Sequence, residues 1–244
     1  MIYQEFAKFY DELFDETMYD QWLSFVKANV SKNDSIMDMA CGTGRLLSLL
    51  AAQNYNVCGM DLSEDMLTLA EEHLRNIKPD MPLIQGDMTE MEGIPDFDVI
   101  TCFDDSLCYL PNQDVLQTAF EKVHEHLNND GQFLFDVITP YQTDVVYPGY
   151  MYNYHDDSNA FMWQSYLGDE DHSIEHDLVF FKYNERINAY DQFSEIHLER
   201  TYKVGIYIDL LKNAGFKDIK VSANFGKDEI TDTTTRWFFV CKKG

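Results

Sequence analysis

Three aspartates and two glycines have the residue types and the spacing to hold a small polar ligand. The stretch DMACGTG at 38–44 carries an acid, Asp38, at the end of a short apolar run, then breaks into a turn of small residues with Gly42 and Gly44. A leucine-rich amphipathic segment follows at once, so the order reads as strand, tight loop, helix. Gly42 and Gly44 let the backbone approach a ligand closely, and the N-terminus of the following helix leaves N–H groups facing the same place. Asp61 ends the next apolar run, 17 residues after Gly44. A carboxylate there can accept two hydrogen bonds from a ribose diol. Asp87, in QGDM at 85–88, can accept one from an exocyclic amine, and Leu62, Met66 and Met88 offer apolar surface for a flat base. Each feature alone has a plainer reading, since glycine is the default in such a turn and Asp61 or Asp87 could cap the segment that follows. Together, in this order and at the ends of successive strands, they describe a nucleoside site.

The surrounding pattern supplies the elements that must position them. Strands are expected at 36–40, 56–60, 83–85, 97–103 and 132–138, with helices at 45–53, 64–76 and 113–127 between them. Apolar strands alternating with amphipathic helices give a doubly wound, mostly parallel α/β sheet covered on both faces, with right-handed connections. Ligands bind such sheets outside the carboxyl ends of the strands. DMACGTG, GMDLS at 59–63, QGDM and CFDDSLCYL at 102–110 therefore converge on one cleft. Two amphipathic segments precede the sheet, one with Phe6, Phe9, Tyr10, Leu13 and Phe14, the other with Tyr19, Trp22, Leu23, Val26 and Val30. Both are expected to be helices on the outside of the sheet or across its ligand edge. Residues 140–202 alternate with period two between polar turns, the pattern of an antiparallel meander inserted into the domain. A last helix follows, with Tyr207, Leu210, Leu211 and Ala214 on one face and Gly215 at its end. Strands at 216–225 and 235–241 have no helix between them and are expected to pair antiparallel.

Composition narrows the partners. The chain has 244 residues, 43 acidic against 18 basic, and a net charge of −25. Such a charge repels a polyanion, so nucleic acid is a poor substrate, although an acidic surface by itself is read first as a solubility feature. The five cysteines are scattered without a Cys-x-x-Cys pair, which reads as reduced thiols in a cytoplasmic protein and neither a disulfide framework nor a zinc site. No apolar run is long enough to span a membrane, and the first residues do not read as a secretion leader.

DMACGTG, GMDLSEDML, QGDM and FDVITCFDDSLCYL together resemble the motifs of class I S-adenosylmethionine-dependent methyltransferases, the small-molecule type with an antiparallel insertion. The resemblance implies one domain over 1–244, with a helical lid at 1–34, an α/β core at 35–139 and 203–244, and the insertion at 140–202 over the acceptor side. Its sheet would have seven strands, the last running antiparallel inside it. It implies S-adenosylmethionine as cofactor. Asp38 and the backbone of Ala40 to Gly42 would hold its amino acid end, Asp61 its ribose, and Asp87 and Met88, with Leu62 and Met66, its adenine. Tyr10 and Phe103 would close over the methionine portion. Ala40 stands where many members have glycine, and alanine is expected to keep to ordinary backbone angles. Leu47 occupies the place of a third glycine, which argues against a nicotinamide dehydrogenase.

Methyl transfer from a sulfonium is an in-line displacement, and a base is needed only where the acceptor must lose a proton. No catalytic residue stands out. Tyr109, His197 and Arg200 are the candidate contacts to a small-molecule acceptor, with N- or O-methylation both open. If 195–202 is a regular strand, His197 shares a face with Glu195 and Glu199, whereas Arg200 lies on the other. Asp104 and Asp105 are expected to cap the segment that Ser106 begins, in preference to forming a metal pair. The insertion's tyrosines are explained first by packing, with an aromatic pocket for a cationic amine as the functional alternative. A protein that binds the cofactor without catalysis, as a sensor or accessory subunit, is the rival reading, and homodimerisation stays open.

Overall fold

The computed structural model describes residues 16–244; the expected helix containing Tyr10 lies outside them. Helix α1 (Glu16–Asn29) leads into β1 (Ser35–Met39), α2 (Arg45–Ala52), β2 (Asn56–Asp61), α3 (Glu64–Leu74), β3 (Leu83–Gln85) and β4 (Phe97–Cys102). A 3-10 turn (Ser106–Tyr109), α4 (Gln113–Glu125) and β5 (Leu127–Ile138) complete the first run of alternation. These strands and two later ones form a seven-stranded sheet. β10 (Phe216–Ser222) and β11 (Arg236–Lys243) give it the order β10-β11-β5-β4-β1-β2-β3. The four pairings from β5 to β3 are all parallel, whereas β11 runs antiparallel to both β5 and β10.

Period two along the strands sends side chains to two apolar layers. Ile36, Val99, Leu134 and Phe238 pack under α1 and α2 with Trp22, Phe25, Leu47 and Leu50. Met37, Ile100, Phe133, Phe135 and Phe239 pack on the other face under α4 and the last helix, α5 (Val204–Asn213), with Phe120, Tyr207 and Leu211. Gly215 ends α5 with φ +105°, and its N–H reaches the Lys212 carbonyl at 3.0 Å, the C′ role expected of it. One boundary differs from expectation. Leu127 belongs to β5 and pairs with Phe97, because a single apolar residue satisfies a helix end and a strand start equally well.

The insertion begins with a π-helical turn (Gln142–Val146), which the alternation did not announce. It continues as β6 (Met151–His155), β7 (Asn159–Leu167), β8 (Ser173–Asn184) and β9 (Ala189–Arg200), antiparallel neighbours in chain order, the expected meander. Ser165, His176 and His197 lie opposite one another across three strands, as do Phe161, Phe180 and Phe193. That register puts Trp163, His176, Leu178, His197 and Glu199 on the face turned toward the carboxyl end of β4. Among the described residues no helix is long and apolar enough to cross a membrane.

Candidate active site

The order of the sheet reverses between β1 and β4, which places the binding crevice at the ends of β1, β2 and β4. Asp38, next to last in β1, is buried and accepts a hydrogen bond from Thr101 Oγ1 at 2.6 Å. Burial, with a smaller contribution from Asp61, pushes its carboxyl from 3.8 up to about 7. The loop behind it turns on three left-handed residues, Ala40 at φ +58°, Gly42 at +54° and Gly44 at +74°. Ala40 thus departs from the ordinary angles expected of alanine. The bond from the Cys41 N–H to the Met60 carbonyl at 3.0 Å ties the next residue to β2 and holds the turn in place. The two glycines serve different ends. A Cβ on Gly44 would lie 2.8 Å from Ala70 Cβ, so this glycine seats α2 against α3, whereas a Cβ on Gly42 would meet nothing within 4 Å.

Asp61 locks the loop from the end of β2. Its Oδ2 accepts the Gly42 N–H at 2.8 Å and its Oδ1 the Ser63 N–H at 2.9 Å. Burial raises its pKa, and these amides oppose the shift. The helix cap itself is Ser63, whose Oγ accepts the Met66 N–H at 3.3 Å. Leu62 stands 68% exposed beside it, an apolar side chain left at the rim of the crevice. Asp87 follows β3 and turns Oδ1 to the N–H and hydroxyl of Thr89, at 2.8 and 2.7 Å, while Met88 packs against the core. The open side of Gly42 and the Asp61 carboxylate that holds its N–H fit a nucleoside carrying an amino acid tail. Phe103, expected to close over the methionine portion, packs against α1. Its ring is buried, 6.3 Å from Trp22 and 6.0 Å from Phe25, and fixes α1 to the sheet.

Between the end of β4 and the inner face of the insertion sheet lies a cavity of about 330 Å³. Tyr147, Tyr150 and Trp163 supply aromatic walls, and Asp104, Asp105, Glu199 and Arg236 supply charge. Asp105 caps no amide with its side chain, contrary to expectation, and makes an ion pair with Arg236 Nη2 at 2.9 Å. Arg236 Nη1 lies 3.1 Å from Asp136 Oδ1, and Asp136 also accepts the Asp105 N–H at 2.9 Å and the Trp22 indole N–H at 2.7 Å. Burial and the neighbouring Asp105 raise the Asp104 carboxyl. Among the described residues no group of three or more side chains could hold a metal ion.

Two histidines face this cavity. His176 Nδ1 receives the Trp163 indole N–H at 3.1 Å and lies 2.7 Å from Ser165 Oγ. An indole only donates, so Nδ1 is the acceptor and Nε2 carries the proton, 3.7 Å from Glu199 Oε1. Burial, aided by His197, lowers the His176 pKa to about 4. His197 Nδ1 is 3.0 Å from the Tyr109 hydroxyl, and its Nε2 is 3.0 Å from Glu195 Oε2. The structure therefore brings Tyr109 and His197 together and leaves Arg200 out. Arg200 points to the opposite face, pairs with Glu170 at 3.3 Å and lies over the Tyr202 ring. Glu199, His176, Asp136 and Arg236 were not singled out from the sequence. A lone acid inside QFLFDVI and a lone arginine opening RWFFV were the available signals, because a buried charge requires a partner.

A parallel sheet closed by an antiparallel last strand, with a glycine turn at its switch point and an acid at the end of the next strand, defines a methyltransferase-type nucleoside cleft. A family model described as a methyltransferase domain matches residues 36–131. YqeM of Bacillus subtilis strain 168, provisionally named a methyltransferase, is 38% identical over 244 residues, covering 100% of this chain and 98% of that one. The crystal structure of an S-adenosylmethionine-dependent methyltransferase from Clostridium acetobutylicum superposes with a TM-score of 0.85 at 30% identity, over 99% of each chain. A sugar enzyme of Streptomyces fradiae, dTDP-3-amino-3,6-dideoxy-alpha-D-glucopyranose N,N-dimethyltransferase, is 36% identical over 108 residues, 44% of this chain and 41% of its own. The chain belongs to the class I S-adenosylmethionine-dependent methyltransferases. It is an enzyme that uses S-adenosylmethionine.

Proposed function

We propose that the enzyme methylates a nitrogen or oxygen of a small molecule seated in the cavity under the insertion sheet. The observation that carries this is the cavity's position. It opens at Asp104 and Asp105, directly after β4, and β4 is one of the two strands that bound the switch-point crevice. Donor and acceptor sites thus share one strand end, the alignment an in-line displacement requires. The Streptomyces sugar enzyme supports the reading, since its name marks an amine on a small molecule as the group methylated.

In the crevice, Asp38 and the backbone from Ala40 to Gly42 would receive the amino acid end of the cofactor, and Asp61 the ribose. Asp87, Met88, Leu62 and Met66 would receive the adenine. When bound, S-adenosylmethionine supplies a methyl group activated on a sulfonium. The chain's own task is to hold the two partners in line and keep water out. Asp38 gives the binding a pH dependence. With its carboxyl held at about 7, it is neutral below that pH and cannot pair with the cofactor's ammonium. Affinity for S-adenosylhomocysteine is therefore expected to fall about tenfold between pH 8 and pH 6, one unit of protonation below the pKa being a factor of about ten. Calorimetry at the two values checks this; a flat profile would remove Asp38 from the site.

The proposal as a whole is tested by a screen of amines and hydroxy compounds with isotopically labelled S-adenosylmethionine. Transfer to a small molecule is expected, and it should fall when Trp163→Ala opens the cavity wall. Tight binding of S-adenosylhomocysteine with no transfer to either class would overturn the proposal in favour of a sensor.

A further inference from the structure

The cavity contains more acid than its one guanidinium can balance. Arg236 is engaged by Asp105 and Asp136, at 2.9 and 3.1 Å. Glu199 is only 7% exposed, and its Oε2 has no hydrogen-bond partner. Its one ion-pair neighbour among the described residues is His176, at 3.7 Å, whose Nδ1 is already committed to Trp163 and Ser165. A buried carboxyl with no cation of its own is costly unless a ligand completes it. The walls around it suit a positive one: Tyr147 lies edge-on to His176 with centroids 4.7 Å apart, and Tyr150 edge-on to Trp163 at 5.4 Å. On its other side the Tyr109 hydroxyl hydrogen-bonds the Glu199 carboxyl and also contacts His197 Nδ1, while His197 Nε2 meets Glu195 Oε2. Glu195 stands two residues before His197 on the same face of β9, its side chain 22% exposed.

We propose that Glu199 takes the proton of a protonated amine acceptor and that Tyr109, His197 and Glu195 pass that proton outward. The inference rests on the small-molecule reading of the cavity and names the acceptor class. An alkylammonium has no lone pair for attack. Its N–H proton moves to the Glu199 carboxylate, which leaves a neutral amine. The nitrogen lone pair forms the new N–C bond, the C–S bond breaks, and sulfur keeps that electron pair. Glu199 then returns its proton to the Tyr109 oxygen as Tyr109 gives its own to His197 Nδ1, and His197 releases its Nε2 proton to Glu195 and water. No electron changes hands between the protein and the ligands. Burial and then Asp105 raise the Glu199 carboxyl, opposed by Tyr109 and Arg236, so that once an approaching ammonium has drawn it into the charged form its carboxylate is a stronger base than an exposed one. Asp104 adds to the rise, and Tyr147, just after the π-helical turn, and Cys108, in the 3-10 turn, face it. His176 faces it from β8, and its lowered pKa keeps it neutral above about 4.

The first test uses methylammonium, n-butylammonium and cyclohexylammonium against the matching alcohols, each with S-adenosylhomocysteine, read through tryptophan fluorescence with Trp163→Phe as the blank. At least one ammonium should bind ten times more tightly than its alcohol at pH 7, and Glu199→Gln should erase the difference. Preference for the alcohols, or a preference that survives Glu199→Gln, would overturn the proposal. The second test follows labelled methyl transfer to the amines of the screen across pH. Glu199→Gln should lower kcat about thirtyfold at pH 7 and recover most of it by pH 10, where solvent removes the proton. His197→Gln, in a positioning residue, should lower kcat about fivefold with KM unchanged and shift the same profile upward. A deficit independent of pH would give Glu199 a structural role only. A screen that returns hydroxy compounds and no amines would leave small-molecule methyl transfer standing and overturn this proposal alone.

Discussion

Replacing Asp61 with alanine is expected to weaken S-adenosylhomocysteine binding by about 100-fold or more, roughly 3 kcal/mol. Two losses add. The ribose hydroxyls lose a charged acceptor, and the Gly42 and Ser63 N–H groups lose the carboxylate that holds them at 2.8 and 2.9 Å. The second loss loosens the turn that shapes the amino acid end of the site, so the effect should exceed that of a simple ligand contact. Asp61→Asn is the sharper test. An amide has one oxygen, and its NH₂ would be turned against either the Gly42 or the Ser63 N–H, donor against donor. Asparagine should therefore bind almost as poorly as alanine. Calorimetry on protein shown to be folded by near-ultraviolet circular dichroism decides the matter. Asp61→Asn binding within about threefold of wild type would show that the carboxylate does not organise this site.

The sheet was legible because strands buried on both faces read as nearly unbroken apolar runs and the helices between them kept a single apolar stripe. The antiparallel pairing of β10 and β11 followed from the lack of a helix between them, and the place of β11 inside the sheet from the resemblance to the methyltransferase family. What local pattern could not show was direction and partnership. Phe103 is an apolar residue at a strand end in any reading, and only the place of α1 decides that its ring meets Trp22 and Phe25. Ala40 looked confined to ordinary angles, and the bond from Cys41 to Met60, between strands, overrides that preference. Period two correctly put His197 with Glu199 and against Arg200, yet it could not say that this face of the meander is folded over the end of β4. The acid–guanidinium cluster joins residues 131 and 31 positions apart, beyond the reach of any motif. The crevice proposed for the cofactor is built from contiguous loops, within reach of local pattern; the cavity proposed for the acceptor is assembled by tertiary packing, which local pattern does not show.

That cluster is where a single change should do most harm to the fold. Arg236→Met keeps the length and apolar stem of the side chain and removes its charge from between Asp105 and Asp136. Breaking a buried pair on one side costs about 3–5 kcal/mol, because the remaining charge is left without compensation. Asp136 is fully buried and its carboxyl is already raised by burial, with Arg236 the largest influence holding it down. Without the guanidinium it rises further, so the folded state keeps a proton that the unfolded chain gives up near 3.8. Such a group adds nothing unfavourable below pH 4, and it lowers stability progressively as pH rises from there toward the folded value. The deficit of Arg236→Met against wild type should thus be greatest at pH 8 and clearly smaller at pH 5, measured by urea unfolding at both. Arg236→Met with Asp136→Asn should recover part of it, since the amide still accepts from Trp22 or from the Asp105 N–H and carries no charge. A loss under about 1 kcal/mol at pH 8, or an equal loss at both pH values, would mean that water already reaches this cluster. The full loss would show that the same cluster that fixes α1, β5 and β11 to one another also holds the β4 loop against the cavity under the insertion sheet.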